Sequence, residues 1–61
     1  MKVRDLIKKV EEEGWRYMYS VGSHKHFKHP TLAGKVTIPG HPGDDVTPGT
    51  LRSVLKQAGL K

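Results

Sequence analysis

Apolar residues repeat with the spacing of one helix face at both ends of the chain. The two sets, each spaced i, i+3, i+4, i+7, are Val3, Leu6, Ile7, Val10 and Leu51, Val54, Leu55, Ala58. Each set predicts a short amphipathic helix with one buried stripe. Gly14 is well placed to end the first helix. Thr47 and Pro48 suit the start of the second helix, and Gly59 with Leu60 suits its C-terminal cap.

The residues between these helices favour β-strands. The stretch "WRYMYSV" at 15–21 is rich in β-formers and stops at Gly22-Ser23, a pair suited to a two-residue hairpin turn. A second strand is expected at 24–29 and a third at 35–39, "KVTIP", with Val36 and Ile38 on one face. The predicted fold is α+β in the order α-β-β-β-α, a three-stranded antiparallel sheet with both helices on one face. We expect residues 1–61 to form one domain.

The two-residue turn also predicts the register of the hairpin. The expected pairs are Val21–His24, Tyr19–His26, Met18–Phe27 and Tyr17–Lys28. Opposed residues share a face, so Met18 and Phe27 would point into the core, and we expect Trp15 to join them. The open face would carry Tyr17, Tyr19, Val21, His24, His26 and Lys28. A change of one residue in the turn would invert this assignment.

Positive charge is concentrated where the chain has no acid. The net charge is +5, and residues 14–43 contain no carboxylate but hold all four histidines with Arg16, Lys25, Lys28 and Lys35. After Asp45 the remaining charged residues are Arg52, Lys56 and Lys61. Such a surface is typical of proteins that bind nucleic acid, because each phosphate contact releases counterions. A solubilising face without a ligand would give the same composition.

Composition also excludes several classes of protein. The chain has no cysteine, which removes disulfides and thiolate zinc sites and fits a reducing compartment. No apolar run is long enough for a membrane span or a signal peptide core. We therefore expect a cytoplasmic protein with no membrane contact and no small-molecule cofactor. A chain of 61 residues buries only about 60% of its unfolded surface, so a stabilising partner is plausible.

The stretch "GSHKHFKHP" at 22–30 places three histidines within nine residues. A metal site is one hypothesis, but His29 would face away from His24 and His26, and His41 lies in a distant loop. No Cys, Asp or Glu is near enough in sequence to supply a third ligand, so we expect no metal. Ordinary polar residues on a basic strand are the other non-catalytic interpretation.

His24 is the residue best placed for acid–base chemistry. It is the first residue after the Gly-Ser turn, so its imidazole should be exposed and fixed at the end of the sheet. An ordinary histidine pKa of about 6.5 suits removal of a proton from a ribose 2'-hydroxyl, while nearby lysines stabilise charge on the phosphate. RNA carries its own nucleophile, so this reaction requires neither a metal nor a deep pocket.

Four segments together resemble the HicA family of toxin ribonucleases. They are "GW" after the first helix, "GSHKHFKHP", "VTIPGHP" and the ending "GTLRSVLKQAGL", and they span essentially the whole chain. The resemblance implies a double-stranded-RNA-binding-domain-like fold, mRNA endonuclease activity and neutralisation by a HicB-type antitoxin. By that comparison His24 matches the family's catalytic histidine.

The protein is therefore expected to be a metal-independent mRNA endoribonuclease that a partner protein inhibits. His24 would act as general base or acid. The expected RNA-binding residues are Lys28, His26, Lys35 and Lys25 at phosphates, Ser23 through its hydroxyl or backbone, and Tyr19 by stacking on a base. Two alternatives remain open, a non-catalytic RNA-binding module and an antitoxin-like or adaptor domain that binds only protein.

Overall fold

A computed structural model describes residues 1–60. The elements in chain order are α1 (Val3–Glu12), β1 (Arg16–Val21), β2 (His24–Lys28), β3 (Val36–Ile38) and α2 (Pro48–Gln57). The predicted α-β-β-β-α order is confirmed, with each strand slightly shorter than the sequence suggested. Lys61, one of the basic residues counted above, lies outside the described residues. None of the described helices is both long and apolar enough to cross a bilayer.

The second helix has the caps that its sequence predicts. The side-chain oxygen of Thr47 accepts a hydrogen bond from the backbone N–H of Thr50 at 3.2 Å. At the other end Gly59 adopts a left-handed φ of +74°, and the N–H of Leu60 donates to the carbonyl of Leu55 at 2.8 Å. A left-handed glycine followed by this bond satisfies a carbonyl that the end of a helix leaves free.

The sheet is antiparallel with strand order β1-β2-β3. Val21 pairs with His24 across the Gly22-Ser23 turn, and Gly22 has a φ of +59°. Both observations confirm a two-residue turn with glycine first, whose twist matches that of the strands it joins. The pairing of Tyr19 with His26 is also as predicted.

The predicted register is wrong beyond Tyr19. The pairing skips Met18 and places Tyr17 opposite Phe27. One unpaired residue in one strand is a β-bulge, a feature common at sheet edges. Met18 is consequently 55% exposed instead of buried, and the ring of Tyr17 lies edge-on to Phe27 with centroids 5.9 Å apart. Tyr17 therefore leaves the open face and lies beside Phe27, although it stays 52% exposed and is not part of the buried core.

The core lies between the sheet and the two helices. Its buried residues are Val3, Leu6, Val10, Trp15, Phe27, Val36, Ile38, Val54 and Ala58. Burial contributes about 1.5–3 kcal/mol for each large apolar side chain, so this cluster is the main source of stability. The expected burial of Trp15 is confirmed, since it is 2% exposed.

Helix α2 packs along the outer edge of β3. The backbone N–H of Thr37 donates to Oε1 of Gln57 at 2.9 Å, in place of a bond to a further strand. A side chain of α2 therefore satisfies this edge of the sheet. This packing also brings α2 beside the end of the sheet that carries His24.

Candidate functional site

His24 lies at the end of the sheet, directly after the hairpin turn. It is exposed, and Ser23, the turn residue before it, is half-buried. Side chains alternate along β2, so His24, His26 and Lys28 project from the face opposite to buried Phe27. The predicted arrangement of these three residues on one face is confirmed.

A groove beside His26 gathers cationic and aromatic side chains. It has a volume of about 420 Å³, and its lining residues are Met18, Tyr19, His26, Phe27, Lys28 and Lys35. We call it the lysine groove. Four of the six residues expected to bind RNA line it, namely Tyr19, His26, Lys28 and Lys35. Lys35 reaches the groove from the segment before β3, so residues far apart in sequence meet here.

Tyr19 and His26 form a stacked pair in this groove. Their ring centroids are 4.7 Å apart and their planes differ by 24°. Nδ1 of His26 also lies 3.1 Å from the hydroxyl oxygen of Thr37, so the imidazole has a partner on each neighbouring strand. The Tyr19 side chain remains 51% exposed. An exposed ring with a fixed support suits stacking on an unpaired base.

His24 opens onto a second groove, between the sheet and α2. Its lining residues are His24, Thr37, Pro39, Thr50, Ser53, Val54 and Gln57. We call it the neutral groove, because these residues other than His24 have no ionisable side chain. The α2 residues were not predicted from the sequence, although Thr50, Ser53 and Gln57 repeat at i, i+3, i+7 beside the apolar stripe. That polar stripe was the only sequence feature that could have indicated these residues. The packing of α2 along β3 is what places the stripe near His24.

Lys25 does not join either groove. Alternation along β2 places it on the same side as Phe27, and its ammonium donates to the carbonyl of Gly40 at 2.7 Å in a half-buried position. The structure therefore gives Lys25 a contact with the loop after β3 and does not bring it to the face of His24.

The side chain of His29 contacts the end of α1 and the segment that follows β2. Its Nδ1 accepts backbone N–H bonds from Thr31 and Leu32, both at 3.1 Å, and its ring lies edge-on to Trp15 with centroids 5.2 Å apart. A nitrogen that accepts from N–H groups carries no proton, so the proton is on Nε2, which donates to the carbonyl of Glu13 at 2.9 Å. This histidine holds the chain after β2 against the end of α1.

The described residues do not assemble a metal centre. Within residues 1–60 no three His, Cys, Asp or Glu side chains come close enough to hold an ion. His41 is exposed in the loop after β3. The same loop contains Asp45, whose pKa is lowered by a hydrogen bond from the Lys2 ammonium at 2.7 Å and by the positive charge of that group.

The fold and this face define a small α+β protein with an exposed histidine that lines a neutral groove and lies two residues from a cationic one. The arrangement of elements is consistent with a double-stranded-RNA-binding-domain-like fold. Residues 3–60 match the family described as the HicA toxin of bacterial toxin-antitoxin systems. The chain belongs to this family, which makes it a toxin with an antitoxin partner. A search of curated proteins gave no match.

Proposed function

We propose that this toxin is a metal-independent endoribonuclease that cuts mRNA and uses His24 as its general base or acid. The observation that carries the proposal is the position of His24. It is exposed directly after the hairpin turn and projects from the strand face that also carries Lys28 of the lysine groove. An acid–base group beside a cationic groove is the arrangement that RNA cleavage through the 2'-hydroxyl requires.

The chemistry follows from the groups that RNA itself supplies. His24 takes the proton of a ribose 2'-hydroxyl, and the resulting oxygen attacks the adjacent phosphorus. The bond from phosphorus to the 5'-oxygen of the next nucleotide breaks, and that oxygen takes up a proton from the protonated His24 or from water. The products are a 2',3'-cyclic phosphate and a 5'-hydroxyl end. His26 is held by Tyr19 and Thr37, so the acid–base role falls to His24.

The lysine groove supplies the contacts that bind the RNA. Lys28 and Lys35 neutralise phosphates, and Tyr19 stacks on an unpaired base. His26 supports Tyr19 and presents its ring edge to the backbone of the RNA. Ser23 contributes its hydroxyl or its backbone next to the reacting phosphate. Tyr19, His26, Lys28 and Lys35 line the lysine groove and His24 projects from the same strand face, which supports this proposal, whereas Lys25 contacts Gly40.

We further propose that the antitoxin is of the HicB type and acts by covering His24. Acidic groups placed over Lys28 and Lys35 would compete directly with phosphates. Complementary charge also speeds association, because it steers the two proteins together before contact. The high positive charge of the chain, +5, favours such a partner.

The test is to incubate the pure protein with an RNA of mixed sequence, with and without EDTA, and to identify the new ends. We expect cleavage in both samples, with 2',3'-cyclic phosphate and 5'-hydroxyl ends. An RNA with a 2'-deoxy sugar at the cut site should resist. Ends with a 5'-phosphate would contradict the mechanism, since they require attack by water. Binding without cleavage would favour the RNA-binding module, and no binding would favour a domain that contacts only protein.

A further inference from the structure

We infer that the neutral groove is a nucleobase subsite, in which Ser53 and Thr50 of α2 hold the base next to the cut phosphate and influence where RNA is cut. This inference rests on the proposed ribonuclease function and adds a determinant of sequence preference to it. It assigns α2 a direct role in the RNA interface, beyond its packing against β3.

The chemistry of the groove suits a base and not a phosphate. Among residues 1–60 no lysine or arginine lines it, whereas Lys28 and Lys35 both line the lysine groove. Pro39, one of its lining residues, contributes an apolar ring that a base could contact. The volume is about 220 Å³, below the 300–1,000 Å³ usual for sites that take drug-sized ligands, so one aromatic ring system is the appropriate occupant.

The hydrogen bonds around the groove leave defined donors free. Nε2 of Gln57 donates to the hydroxyl oxygen of Ser53 at 3.1 Å, and Oε1 of Gln57 already accepts from Thr37. The hydroxyl oxygen of Thr50 accepts from the hydroxyl of Thr47 at 3.0 Å. Because both oxygens serve as acceptors, the hydroxyl protons of Ser53 and Thr50 are free to donate. They would bind the acceptor atoms of a base edge, such as a carbonyl oxygen or a ring nitrogen.

Both grooves lie close to the residue proposed for catalysis. His24 lines the neutral groove, and His26, two residues further along the same face, lines the lysine groove. Two residues of a strand span roughly 6–7 Å. An RNA strand that places a ribose at His24 is therefore within reach of both the lysine groove and the neutral groove. The lysine groove would hold the RNA backbone whatever its sequence, and the neutral groove would contact a base.

The first test compares the cut sites of wild type and Ser53→Ala across one RNA of mixed sequence, read by sequencing the new 5'-hydroxyl ends. Loss of one hydrogen bond should lower cleavage about three- to tenfold at the preferred sites and leave the others nearly unchanged. Lys28→Ala should lower cleavage at all sites alike. Ser20→Ala is the matched control, since Ser20 bonds to the Tyr17 hydroxyl on the other side of the sheet. An unchanged distribution of cut sites in Ser53→Ala would overturn the inference.

A second measurement does not depend on cleavage. The protein is titrated with an RNA that has a 2'-deoxy sugar at the cut site, and the backbone amide signals of residues 50, 53 and 57 are followed by NMR. We expect these signals to shift with the same affinity as those of Tyr19 and Lys28. Shifts confined to the lysine groove, or shifts at 50–57 only when an antitoxin is added, would overturn the subsite. Absence of any RNA cleavage by wild type would instead contradict the proposed function.

Discussion

Nε2 of His29 donates to the carbonyl of Glu13 at 2.9 Å and so joins the end of β2 to the end of α1. Gly14 lies beneath the same imidazole with a φ of +97°, and a methyl group there would be only 2.6 Å from Nε2. His24 belongs to the same nine-residue run but projects from the exposed face. His29 therefore stabilises the fold, whereas His24 is exposed and available for acid–base chemistry.

Replacing His29 with Ala should destabilise the fold by about 2 kcal/mol or more. The change removes bonds to three backbone groups and the edge-on contact with Trp15, each with a typical value of about 0.5–1.5 kcal/mol. Urea unfolding measures the difference. His41→Ala is the matched control, because His41 is exposed in a loop and its loss should cost under about 0.5 kcal/mol. Equal stability of the two variants would contradict the structural role of His29.

The fold was largely predictable because its signals are local. Helical periodicity located both helices, Gly22 and Ser23 located the hairpin, and Thr47 located a cap. The bulge at Met18 was not predictable, because "WRYMYSV" alternates without any break that would mark a skipped residue. A single skipped residue then moved Tyr17 to the opposite face.

Only the part of the candidate site that lies on a single strand was predictable from the sequence. Alternation alone placed His24, His26 and Lys28 on one face. The position of Lys25 against Gly40 depends on where the loop after β3 returns, which no local pattern reveals. The polar stripe of α2 likewise becomes part of the site only through the packing of that helix along β3.

Lys28→Ala and Lys35→Ala should each weaken RNA binding and reduce its dependence on salt. Each phosphate contact on a single strand contributes about 0.7 to the slope of log K against log salt concentration. Fluorescence titrations at several salt concentrations give this slope. Lys8→Ala on the exposed side of α1 removes the same charge away from the grooves and should leave the slope unchanged. Equal effects of all three variants would mean that only total charge matters.

The antitoxin should protect the face that carries His24. In hydrogen exchange or crosslinking of the toxin–antitoxin complex, we expect protection within residues 19–28 and around Lys35. Removing the charge of Lys28 or Lys35 should slow association more than it shortens the lifetime of the complex. An inhibited complex in which the antitoxin contacts the helices while residues 23–28 stay exposed would point to an allosteric mechanism instead.

Asp45→Asn should lower thermal stability slightly near neutral pH. The Lys2 ammonium holds the pKa of Asp45 below its usual value, so the ion pair stabilises the fold above the unfolded pKa of about 3.9. That contribution is lost as the pH falls through the lower folded pKa. The Asp45 side chain is 80% exposed, so the effect is small and should shrink in high salt. Melting curves of wild type and Asp45→Asn should differ at neutral pH and coincide at about pH 2. An equal difference in melting temperature at both pH values would exclude the ion pair as the cause of the difference.

The rate of RNA cleavage by His24→Ala decides whether this histidine is the general acid or base. We expect the rate to fall at least about 100-fold, the usual contribution of a general acid or base. Stability should stay within about 0.5 kcal/mol of wild type, because the side chain is exposed, and RNA should still bind through the lysine groove. His41→Ala, treated in the same way, should cut at the wild-type rate. A folded His24→Ala protein that also cuts RNA at the wild-type rate would show that His24 is not the general acid or base.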